Sequence, residues 1–212
     1  EAYGRWYHRK VTLNDGFSGK EFTLLMASES GAAGSMLIDN ICITANGVVL
    51  DTASEKPEDW DLSVFAGSAS MEVSSVSLTD ATLQAEILEA RKMAGVFRVH
   101  DGYASPEGDV IRVDVGGGVI YKRLTTIMDD TDIPDGAYLE YDVFLLDDAN
   151  IGIVDFGKDG IGWARDHANI SFDQNGYRAH PSVDYTDEAY GRWYHRKVTL
   201  NDGFSGKEFT LL

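Results

Sequence analysis

Cysteine, proline, positive charge and long apolar runs are all scarce in this chain. One cysteine, Cys42, among 212 residues excludes an internal disulfide framework. It lies in the apolar run "MLIDNICITANG", which points to a buried, reduced thiol. No apolar run reaches the ~20 residues that a helix needs to cross a bilayer, so no membrane span is expected. Lys and Arg number 18 against 35 Asp and Glu, a net charge of −17. Nucleic acid, which is gripped by clustered Lys and Arg, is thereby excluded as a partner. Two uses remain for so much acid: solubility, and the binding of hard cations such as Ca2+ through oxygen ligands.

Catalytic patterns are missing as well. No serine stands in a nucleophile elbow, and the five histidines show no HxH or HExxH spacing. No strand carries the Glu-x-Asp-x-x-Glu order of a laminarinase-like glycosidase. The expectation is a protein that is not an enzyme.

What the chain has is a 43% hydrophobic composition, enough for a real core, and 22 glycines set in turns. Strand patterns recur at 5–13, 21–28, 36–44, 62–68, 71–78, 95–101, 110–115, 119–127, 137–146, 151–157 and 168–174, and again from 192. Several alternate with a period of two, as in Val110, Arg112 and Asp114 against Ile111, Val113 and Val115. Turn clusters such as "NDG", "ANG", "SPEGD" and "DQNG" separate them. The predicted class is all-β, an antiparallel jelly-roll-like sandwich, with at most one short helix over 79–94. There Thr79 is the expected cap, and Leu83, Ile87, Ala90 and Ala94 fall on one face. Ala81, Leu83, Ala85 and Ile87 also alternate as a strand would, so both readings stand at this point.

The most specific feature is a repeat. "EAYGRWYHRKVTLNDGFSGKEFTLL" occupies 1–25 and recurs without a change at 188–212, a period of 187 residues. Leaving one copy out removes four basic and three acidic residues, which puts one period at −18. The expectation is a window onto a tandem array. Residues 1–50 are read as the C-terminal part of one module, 51–59 as a polar linker containing Pro57, and 60–212 as the following module without its last strands. Residues 1–50 of one copy are then expected to complete the sandwich of the copy before it, giving head-to-tail assembly with copies of itself.

The runs "IPDGAYLEYDVFLL", "DFGKDGIGWARD", "AHPSVD", "GRWYHRKVTL" and "LIDNICITANG" together resemble a secreted bacterial jelly-roll module of the carbohydrate-binding and galactose-binding-like group. The resemblance implies a β-sandwich, an extracellular or cell-surface location, and two ligand classes. One is a structural calcium, with Asp39 of the late strand as a ligand. The other is a sugar. A second calcium candidate comes from the residues themselves, since Asp129, Asp130, Asp132 and Asp135 crowd "DDTDIPDG". Their spacing departs from an EF-hand, and a solvated acidic turn is the plainer reading. Trp163, Trp193, Tyr190 and Tyr177 are candidates for a sugar-stacking platform, with core packing as the alternative for each. Asn169 heads the one standard glycosylation sequon, "NIS", whereas Asn40 in "NIC" is expected to be buried and unused. The functional expectation is a structural repeat module of an extracellular filament or surface adhesin, calcium-stabilised and glycosylated. The alternative is a carbohydrate-binding module of a secreted polysaccharide-degrading protein.

Overall fold

The computed structural model describes residues 6–13, 22–28, 33–94, 103–104, 106–127, 134, 136–147, 157–158, 162–163, 171–176, 193–200 and 209–210. The first strands are β1 (Trp6–Leu13), β2 (Phe22–Ser28), β3 (Gly34–Ala45), β4 (Val48–Thr52), β5 (Val64–Gly67) and β6 (Met71–Ser77). Helix α1 (Ala81–Ala94) follows, then β7 (Tyr103–Ala104), β8 (Asp109–Val115), β9 (Ile120–Ile127) and β10 (Ala137–Leu145). The short strands β11 (Gly157–Lys158), β12 (Gly162–Trp163) and β13 (Ser171–Phe172) precede β14 (Trp193–Leu200) and β15 (Phe209–Thr210). The chain is therefore built mainly of antiparallel strands with one helix, as its turns and alternation predict. The strand pattern at 95–101 lies outside the described residues.

The strands form two sheets. One runs β13-β14-β1-β10-β3-β8-β6, with β4 on β3 and β7 on β1; the other runs β12-β11-β15-β2-β9-β5. Lys122 of β9 donates from Nζ to the Met71 carbonyl of β6 at 2.8 Å, tying the sheets together. Gly67 ends β5 at φ +85, and a Cβ there would collide with the Val119 carbonyl oxygen, so only glycine fits this closure.

β8 follows its sequence pattern. Ile111, Val113 and Val115 are buried, while Arg112 and Asp114 are half-buried on the other face. Arg112 donates to Asp114 at 2.9 Å and to Glu86 of α1 at 2.6 Å, which holds the helix to the sheet. The helix reading prevails over the alternating strand because Leu83, Ile87 and Ala90 are buried and Ala81 and Ala85 are exposed. Its cap is Asp80, not Thr79. The Asp80 carboxylate accepts from the backbone N–H groups of Thr82 and Leu83, each at 2.9 Å, so the helix starts at Ala81.

The segment expected as a linker, 51–59, is mostly exposed, with Ala53 and Pro57 buried. Asn46 and Gly47, at φ 51 and 77, make a tight hairpin turn that pairs Ala45 with Val48 and creates β4. Pro57 and Trp60 are buried, and the Trp60 indole donates to the Ser54 carbonyl at 2.8 Å. β3 pairs with both β8 and β10, so residues 34–45 share one sheet with residues 109–115 and 137–145 of the same chain. Residues 51–59 thus run from the end of β4 through the turn at Pro57–Asp59.

Candidate functional site

Two features are candidates for a functional site, and both are built on β10. The first is a buried carboxylate pair. β3 pairs with β8 through Ile38 and with β4 from Cys42, and its register on β10 shifts between the ends of the strand. Asn40 lies inside that interval with φ 54, a left-handed conformation that asparagine tolerates. Its side-chain amide donates to the Asp39 carboxylate at 3.1 Å and to the Asp142 carboxylate of β10 at 2.8 Å. One NH2 group, with two N–H bonds, thus spans two carboxylates. Asp39 is 5% exposed and Asp142 3%. Glu140, two residues along β10, is also buried and accepts from the Thr44 hydroxyl.

Burial makes these carboxylates reluctant to ionise. The Asp39 carboxyl is pushed up to about 7, first by burial and then by the charge of Glu55, against the pull of the Asn40 backbone N–H. Asp142 is held well above the usual carboxylate range by burial, with Asp39 and Glu140 adding repulsion and the Asn40 amide opposing it. Near neutral pH the pair therefore retains protons that exposed carboxylates release. Beside it, between β3 and the turn at Pro57–Asp59, lies a cavity of about 570 Å³ lined in part by Asn40, Cys42, Thr52, Glu55, Lys56 and Asp59.

Calcium is the ion expected at Asp39. The ion takes six to eight oxygen ligands. Here two carboxylates converge on an N–H donor, and among the described residues no group of three or more His, Cys, Asp or Glu is placed to hold a metal ion. Asp39 is thus not brought together with a ligand set. Asp129, Asp130, Asp132 and Asp135 lie outside the described residues.

The sugar platform loses one member. Trp193 is 2% exposed, and its ring meets Phe144 edge to face with centroids 5.3 Å apart, so it offers no open face to a pyranose. It is a core residue. Tyr190, Tyr177 and Asn169 lie outside the described residues. Trp163 is described only as a strand position, opposite Gly157. Asn40, expected to be buried, is instead exposed, with its amide turned to the two carboxylates.

The second feature is a strand position claimed twice. β1 and β14 have one sequence, WYHRKVTL. β1 pairs antiparallel with β10 so that His8 faces Asp142, Lys10 faces Glu140 and Val11 faces Leu139. β14 holds the same register, with His195 facing Asp142, Lys197 facing Glu140 and Val198 facing Leu139. The two strands also run parallel to each other, twin beside twin, from Tyr7 with Tyr194 to Leu13 with Leu200. The second halves repeat the pattern, with Phe209 and Thr210 of β15 parallel to Phe22 and Thr23 of β2. Among the described ladders these twin pairs are the parallel ones. Both copies of the repeat pair with β10 of this same chain.

Asn40, Glu140 and Asp142 were not singled out by the sequence as site residues. The available signal was Asp39-Asn40 in the middle of an apolar strand, together with two acids inside the apolar run of β10.

Comparison with protein-family models, with curated proteins and with solved structures gives no match.

Proposed function

We propose that this chain is a non-catalytic structural module of a tandem-repeat protein, working outside the cell as a unit of a filament or surface adhesin. Each period of 187 residues forms one jelly-roll-like β-body, and bodies follow one another head to tail. The observation that carries this reading is the 25-residue repeat at that period. Drift accumulates at exposed positions when copies serve different ends, and here none has accumulated. The strand pairing supports a body of one period, since either copy of the repeat has the register to complete the sheet beside β10. Strong acidity favours this role too, because like charge keeps crowded modules from clumping. The carbohydrate-binding alternative is weakened by the burial of Trp193.

The test lengthens the chain by one and then by three whole periods and follows small-angle scattering and thermal unfolding. The expected result is a maximum dimension that grows by a constant step per period. The melting temperature should rise and then level off as neighbour interfaces accumulate. Added periods that stay unfolded, or a dimension that does not grow in steps, would contradict the proposal.

A further inference from the structure

We infer that β10 offers a single strand slot, that either copy of the repeated segment fills it, and that the copy left over is a donor strand for the open slot of a second copy of this chain. The inference rests on the proposed repeat reading and gives it a mechanism. Backbone geometry carries the first part. Successive residues of a strand point their N–H and C=O groups to opposite edges, and β10 gives its other edge to β3. The groups facing β1 and β14 form one row, which one strand satisfies in full. Both copies hold the same register on that row, residue for residue from Asp142 to Leu139. They are alternative occupants.

Charge carries the second part. By register, each copy in the slot sets Lys10 or Lys197 opposite Glu140, positions of opposite charge. Beside its twin, each copy sets Arg9 opposite Arg196 and Lys10 opposite Lys197, which is repulsive. By register, the leftover copy meets like charge beside its twin and opposite charge at an open slot. The row of unpaired backbone groups in such a slot is a template for an added strand. Between two intact chains an exchange fills no additional slot, so intact chains are expected to remain monomeric. Association requires a chain whose own slot is open.

Three full-length variants test this. Two consecutive prolines remove at least one N–H toward β10 whichever way the alternation falls. The first variant carries Lys10→Pro with Val11→Pro, the second Lys197→Pro with Val198→Pro, and the third all four changes. Thermal melting should show the first two folded and close to the unaltered chain, and the third without its cooperative transition. The third is then diluted from denaturant together with a 25-residue peptide of the repeated sequence, or with the unaltered chain. The expected result is recovery of the transition, saturating at one peptide or one chain per variant, with affinity at least tenfold weaker for a peptide carrying the two prolines. If either two-proline variant unfolds as the four-proline variant does, both copies are needed at once and the single slot is overturned. If the four-proline variant melts like the unaltered chain, the slot is not structural and the inference again fails. If the two-proline variants fold but neither peptide nor chain rescues the third, donation is overturned, while the repeat-module reading, tested by the lengthened chains, still stands.

Discussion

The two copies of the repeated segment share every letter yet do not have the same surroundings. β1 leaves β10 at its first residues and pairs Trp6 and Tyr7 with β7. β14 stays on β10, with Tyr194 opposite Val143 and Trp193 opposite Phe144, and takes β13 on its far side. Downstream, the first copy supplies the seven-residue strand β2 along β9, whereas the described part of its twin strand is the two residues of β15. The difference teaches that the segment encodes a register and not a place. Its apolar and charged positions match β10, and the rest of the chain decides which copy matches it. A residue present in both copies has a spare, and a residue of β10 does not.

The largest effect should come from a residue without a spare. Phe144 is fully buried against Trp193. Phe144→Ala is expected to cost about 3–5 kcal/mol, measured by denaturant unfolding. A cost under about 1 kcal/mol would mean that the slot beside β10 is not part of the core.

Asp80 sharpens the contrast at smaller scale. It caps α1 through two backbone N–H groups and also belongs to no repeat. Asp80→Ala should cost about 0.5–2 kcal/mol. The same loss is expected in the unaltered chain and in both two-proline variants, because the helix lies outside the contest for the slot. A loss that depends on which copy is intact would tie the helix to the exchange.

The smallest effect is a slope with pH. Asp39 ionises near 7 in the folded chain and near its ordinary 3.8 when unfolded. Between those values the folded state binds more protons, so this contribution to stability is present at low pH and declines as pH rises from about 4 to 7. Asp142 shifts in the same direction. Asp39→Asn should flatten the dependence of melting temperature on pH across that window and raise stability at pH 8. The slope should be equal whichever copy fills the slot, since His8 and His195 are one residue twice over opposite Asp142. Different slopes in the two two-proline variants would show that the copies seat differently.

Much of the frame was legible in the sequence. The alternation of β8 marked its buried face, and the spacing of Leu83, Ile87 and Ala90 marked the helix once Ala81 and Ala85 proved exposed. Two things were not legible. Glu140 and Asp142 alternate with apolar residues, which normally marks a solvent face. β10, however, is flanked on both edges and buried along nearly its whole length, so its acids are enclosed with the core. Residues 51–59 read as a linker because they are polar, and that reading leaves out the hairpin just before them. The Asn46-Gly47 pair was the hairpin signal, and the apolar residues after it, Val48, Val49 and Leu50, do form a strand although they stay exposed. The acid pair depends on the break in β3 at Asn40, and composition carries no trace of such a break.

One slot with two interchangeable occupants makes the twin tryptophans redundant, and a double-mutant cycle on them measures that redundancy. Extending the β1 register by two residues sets Trp6 opposite Phe144, where Trp193 stands. Trp6→Ala, Trp193→Ala and the double change are compared by denaturant unfolding. Each single change is expected to cost less than about 1 kcal/mol because the other copy takes the slot. The double change should then cost about 3–5 kcal/mol, far above the sum. Additive costs, or a full loss from Trp193→Ala alone, would contradict it.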